Sequence, residues 1–87
     1  MEENTVQSVP ITIVYAGYGV WNSVNDATQA IRNAYFLRGV RNFYASNNWA
    51  GDPAPGERKY LFIVWTHNGV TSSAVVGEDD SRGVWLP

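Results

Sequence analysis

No cysteine braces this 87-residue chain, yet it carries four tryptophans, five tyrosines and three phenylalanines. A domain this small, with neither a disulfide nor a thiolate metal site, must hold together on one compact core or gain help from a partner subunit. Fully burying an aromatic side chain takes roughly 150–250 Å², and a small domain is short of interior. Some rings must therefore sit at the surface or in shallow clefts, beside the Asn, Asp, Ser, Thr and Gly that neighbour them in the chain. A flat apolar face next to neutral hydrogen-bonding groups suits a sugar ring, a nucleobase or a protein hot spot. The net charge of −2 argues against a nucleic-acid backbone or an anionic membrane as partner. Single-stranded nucleic acid held by stacking is weaker still as a reading, because backbone neutralisation supplies most of that affinity.

The residue pattern predicts an α+β fold: a small single domain with an antiparallel β-sheet and one packed α-helix. An all-β sandwich is the alternative. Residues 1–8 are polar and expected to fray, and 9–87 to form the domain. Val9 to Tyr15 alternates as a strand, with Val9, Ile11, Ile13 and Tyr15 on one face and Val14 buried on the other. Gly17 and Gly19 are expected to end it in a turn, leading into a polar loop, Trp21–Asn25. Asp26 reads as a helix N-cap, with Gln29 completing a capping box. Ala27, Ala30, Ile31, Ala34, Tyr35 and Leu37 then recur at helical spacing up to Gly39. Phe36 falls on the polar face, as a contact surface would. Val40–Ser46 reads as a second strand, Asn47–Arg58 as a long loop, and Lys59–His67 as the clearest strand. Asn68-Gly69 is a strong hairpin signal, and Val70–Val76 returns antiparallel. Gly77–Gly83 is an acidic turn before a last short strand, Val84–Leu86.

Three clusters could carry chemistry. Trp21 with Asn22 pairs a stacking face with an amide for ring hydroxyls, although Trp21 equally fits a lid on the core. Asn48 with Trp49 repeats that pairing beside Asp52, whose place before proline suits a turn bond. In the acidic turn, Asp79 and Asp80 can accept hydroxyl bonds and Arg82 can orient them, or all three form a solvated face. Calcium would need more oxygen ligands than this turn offers. His67, the only histidine, cannot make a zinc site alone, and no nucleophile-elbow motif accompanies Ser72 or Ser73. Glu57, Asp52, Asp79 and Asp80 all fall in turns, and the chain is short for a deep catalytic cleft. The expectation is a non-enzyme without cofactor or metal. Trp65 and Trp85 are expected in the core or at a dimer interface.

The order of these signals also resembles a known domain. The motifs are Tyr18-Gly19, then Asp26 and Thr28 opening the helix. Gly51-Asp52-Pro53-Ala54-Pro55-Gly56 follows, then Lys59, Leu61, Ile63 and Trp65, the Asn68-Gly69 turn and a final Leu86-Pro87. From Val9 onward the chain resembles a domain found at the C-terminus of a mitochondrial DnaJ-type protein and in small stand-alone fungal fruiting-body lectins that bind α-galactosyl sugars. With no J-domain in the chain, the lectin side is the nearer. The resemblance implies binding of galactosyl glycans on glycoproteins or glycolipids, no catalysis and a homodimer. The DnaJ relative implies a non-catalytic protein-interaction module as the alternative. The chain departs from the usual pattern at Ala27, Trp49 and Trp85 and in the length of the Gly77–Gly83 turn.

The sugar-binding reading thus rests on Trp21, Asn22, Asn48, Trp49, Asp79, Asp80 and Arg82. No apolar run approaches the roughly 20 residues of a membrane helix, and MEENTVQSV lacks the apolar core of a signal peptide. Membrane insertion is not expected, and a cytoplasmic or non-classically secreted protein is.

Overall fold

A computed structural model describes residues 11–87; the expectations for residues 1–10, including the start of the first strand at Val9, lie outside the described residues. The fold is α+β. Strands β1 (Ile11–Val20), β2 (Ser23–Asp26), β4 (Tyr60–His67) and β5 (Val70–Gly77) form a four-stranded antiparallel sheet in the order β2-β1-β4-β5. Helix α1 (Thr28–Arg38) covers one face. Two short strands, β3 (Asn42–Phe43) and β6 (Val84–Trp85), pair separately.

Strand β4 behaves as its alternation dictates. Leu61, Ile63 and Trp65 are buried under the helix layer with Ile11, Ile13, Ala16 and Tyr18 of β1. Asn68 and Gly69 both take positive φ (55° and 77°), which is what a two-residue turn matching the strand twist requires.

Strand β1 departs from expectation in two ways. It does not end at its glycines but runs on to Val20, and the expected polar loop folds back as β2. Gly19 is needed for close approach, since a Cβ there would strike the carbonyl oxygen of Ser23. The register also shifts between Ile13 and Tyr15. This bulge leaves Val14 48 % exposed and turns Tyr15 away from Ile11 and Ile13, onto the face of Phe62, whose ring lies 5.5 Å away. A single inserted residue reverses which side the following side chains occupy, so Ala16 and Tyr18 enter the core in place of Tyr15.

The helix start is also built differently. Ala27 occupies the cap position. The Asp26 carboxylate accepts the Thr28 N–H at 2.8 Å, but the Gln29 amide donates to Asn33, so no capping box forms. Thr28 supplies the anchor instead: its hydroxyl accepts the Ala16 N–H and donates to the Ala16 carbonyl, which also takes the Ala27 N–H. Ile31, Ala34 and Tyr35 face the core, whereas Leu37, expected among them, is exposed beside Phe36. The helix has already reached its end there, and Val40 N–H closes it on the Ala34 carbonyl.

Of the expected strand Val40–Ser46 only Asn42 and Phe43 pair, with Trp85 and Val84. Phe43, Val84 and Leu86 seal the core, and the Tyr35 hydroxyl donates to the Pro87 carbonyl at 2.6 Å. Trp85 points outward, 69 % exposed, so it is not a core residue.

Candidate functional site

The β1–β2 hairpin turns on two residues, Trp21 and Asn22, because Val20 pairs directly with Ser23. So tight a turn has no slack to fold its side chains back. Trp21 stands 92 % exposed and does not cover the core.

The long segment after β3 is the opposite case. Tyr18, wholly buried, donates its hydroxyl to Asn47 Oδ1 at 2.7 Å, and Asn25 Nδ2 donates to the Ala50 carbonyl. Ser23 Oγ donates to the Pro53 carbonyl, and Asp52 accepts the Ala54 N–H in the expected turn bond. These ties seat Trp49 half-buried. Its ring meets Phe43 at 5.6 Å and its Nε1 donates to the Tyr44 carbonyl at 2.7 Å.

A clasp that sequence reasoning missed holds the far end of this segment. Lys59 is the buried charged residue among the described residues. Its ammonium reaches Asp52 Oδ1 at 3.1 Å, Glu78 Oε1 at 3.2 Å, and the carbonyls of Glu57 (2.7 Å) and Ala54 (3.2 Å). Burial opposes this charge, but bonds to Asp52 and Glu78 outweigh it and raise the lysine pKa above its ordinary value. Glu78 is held below its ordinary value by the backbone N–H of Lys59, with the ammonium adding to it. Burial pushes the Tyr18 phenol up, and the nearby Glu78 carboxylate pushes it further.

Helix α1 and the segment after β3 enclose two adjoining grooves. One, of about 580 Å³, is lined by Ala30, Asn33, Arg38, Tyr44, Ser46, Asn48 and Trp49. The other, wider and more polar, of about 840 Å³, runs from Val14 and Tyr15 past Asn25, Asp26, Gln29 and Arg32 to Trp49 and Ala50. Ala30 and Trp49 form the saddle between them. Asn48 and Trp49 are therefore brought together, as expected, in a depression whose other residues, Asn33, Arg38, Tyr44 and Ser46, the sequence had not marked.

The acidic turn lies elsewhere. Asp79 pairs with Arg58, whose guanidinium also lies 4.6 Å over the Tyr60 ring. The bond to Arg58 lowers the Asp79 pKa and raises that of Arg58. Asp80 is gripped by Arg82 through both oxygens, which pulls its pKa down to about 2. Gly19 pairs with Tyr60 and Tyr60 with Gly77, so Trp21–Asn22 and Asp79–Arg82 follow the ends of β1 and β5, on either side of β4. Neither set lines either groove. The seven expected residues thus occupy separate places.

Among the described residues no group of three or more His, Asp or Glu side chains is placed to hold a metal ion, and no helix is long and apolar enough to cross a membrane. Compared with protein-family models, with curated proteins and with solved structures, the chain matches none. The fold and the grooves define a small α+β domain with an aromatic, amide-lined depression beside its helix.

Proposed function

We propose that this protein is a non-catalytic carbohydrate-binding protein whose site is the groove between α1 and Tyr44–Trp49, with galactosyl glycans as ligands. One observation carries the reading. Two aromatic side chains, Tyr44 and Trp49, share a single groove of about 580 Å³ with the amides of Asn33 and Asn48 and the hydroxyl of Ser46. The volume suits a small ligand. Rings offer an apolar surface to the C–H side of a sugar, and amides both donate and accept, as vicinal hydroxyls require. Trp49 has its N–H spent on Tyr44, so it contributes shape and apolar surface while Asn33 and Asn48 read hydroxyls. The galactosyl preference follows the resemblance given by the motifs from Tyr18-Gly19 to Leu86-Pro87. A groove this shallow binds weakly as a single site, and paired sites in a homodimer would supply avidity.

The test is tryptophan fluorescence titrated with galactose, an α-linked digalactoside and glucose, in wild type and Asn48→Ala. Asn48 is exposed, and its backbone N–H, not its side chain, bonds Ser46, so the variant keeps the fold. The expected result is saturation by galactosides alone and at least a fivefold loss in Asn48→Ala. Equal binding by the variant would move the site out of the groove, and silence with every sugar would end the lectin reading.

A protein-interaction module has its own support. The sheet face opposite the helix is open: Val75 is 64 % exposed, and a depression of about 310 Å³ is lined by Phe62, Val64, Ser73, Ala74 and Val75. Such a face suits another protein or a second copy of this chain. Analytical ultracentrifugation of wild type and Val75→Glu checks it: the reading expects a dimer that Val75→Glu dissociates, and a wild-type monomer removes the second copy as occupant.

A further inference from the structure

Resting on the lectin reading, we infer that the groove prefers an acidic saccharide, one whose carboxylate or sulfate ester pairs with Arg38. The chain has six basic residues other than its histidine, and five are occupied among the described residues. Arg32 donates Nε and Nη2 to the Ile13 carbonyl. Arg41 lies 4.2 Å over the Tyr35 ring. Arg58 pairs with Asp79, Lys59 with Asp52 and Glu78, and Arg82 with Asp80. Arg38 alone has no such partner among the described residues. It is exposed on the last turn of α1 and lines the groove with Tyr44, Asn48 and Trp49.

Among the described residues no carboxylate lines that groove. Its remaining polar side chains are the amides of Asn33 and Asn48, the hydroxyls of Ser46 and Tyr44 and the Trp49 indole N–H, so an anion entering it meets a cation and no like charge from the described residues. The adjoining groove differs, because Asp26 lies in it and its guanidinium, that of Arg32, is already spent. The planar fork of a guanidinium accommodates two oxygens of a carboxylate or a sulfate ester at once. Arg38 also suits the negative end of the helix dipole, a role that would leave ligand choice untouched.

The experiment measures affinity for galactose, galacturonic acid, the methyl ester of galacturonic acid and galactose 3-sulfate, at low and high salt, in wild type and in Arg38→Gln and Arg38→Lys. The expected result is an acid binding about fivefold tighter than galactose, the scale of one exposed ion pair. That advantage should shrink at high salt, fall to about one in Arg38→Gln and survive in part in Arg38→Lys. Esterified galacturonate should behave like galactose. A gain with galacturonate, with the sulfate, or with both supports the inference and names the group recognised. Galactose binding as tightly as the acids overturns it while leaving the lectin reading intact, as does an acid preference that persists in Arg38→Gln. Failure of galactose and acids alike overturns both.

Discussion

Two loop tryptophans look alike in the sequence, each set among Asn, Ser and Gly, yet their surroundings are opposite. Trp21 occupies half of a two-residue turn and projects into solvent. Trp49 belongs to a segment that spans Tyr44 to Lys59 without a strand of its own, and it is the fixed one. A short turn spends all its backbone on reversing direction. A long segment can send side chains inward, and this one is tied at Asn47, Ala50, Pro53 and Lys59 to three different strands or their ends. Fixity follows the number of satisfied buried polar groups, not the brevity of the connection.

The sharpest way to break this contrast is Trp49→Ala. Removing the ring takes away contact with Phe43 and the bond to Tyr44, and should cost about 2–3 kcal/mol, below the range for a fully buried tryptophan. Urea unfolding measures it. A loss under 0.5 kcal/mol would mean the long segment is as loosely held as the turn. Tyr18→Phe comes next. It leaves the ring in the core but removes the bond to Asn47 Oδ1, which is exposed to water, and should cost about 1 kcal/mol. The melting point should fall while near-ultraviolet dichroism keeps its native form; a melting point equal to wild type would show that the Tyr18–Asn47 bond does not hold the segment.

Smaller effects come from pH. Glu78 has a lowered pKa, so its contribution is present above its ordinary value of 4.5 and is lost as pH falls through the folded value below it. Lys59 has a raised pKa, so its contribution is full below 10.5 and is lost as pH climbs through the folded value above that. Asp80 adds a further acid step between 3.8 and about 2, weakened by salt because its partner Arg82 is exposed. The urea midpoint should therefore be level near neutrality and decline at both extremes. Glu78→Gln should shrink the acid decline to the step left by Asp80 and reduce the alkaline decline to the part that Asp52 supports. An unchanged acid side in that variant would place the acid-sensitive contact elsewhere.

The parts of the fold legible in the sequence were those fixed by strict local geometry. Alternation in Lys59–His67 marked the strand, and Asn68-Gly69 the hairpin after it. The bulge at Val14 was not legible, because nothing in ITIVYAG marks where one residue is skipped, and that skip exchanged Tyr15 for Ala16 and Tyr18 in the core. Lys59 was legible in principle: it shares parity with Leu61, Ile63 and Trp65, and a lysine on a core face needs acids facing it. Asp52 and Glu78 answer that need from both sides of the sequence. The groove was half legible. Asn48 and Trp49 were read together, but Asn33 and Arg38 join them only because the helix packs beside the segment, which no local pattern records.

Trp21→Ala should have the smallest effect on stability, within about 0.5 kcal/mol, because the ring covers nothing in the fold. Its value is in what it separates. If the groove is the site, Trp21→Ala keeps galactoside affinity and only dims the fluorescence. If affinity is lost while the urea midpoint holds, the site is the hairpin tip, and an exposed ring beside Asn22 does the stacking. The second outcome would invert the contrast between the two loops, with rigidity at Trp49 serving the core and exposure at Trp21 serving recognition. Measuring affinity and stability together on this one variant distinguishes the two, because every change that removes Trp49 alters both at once.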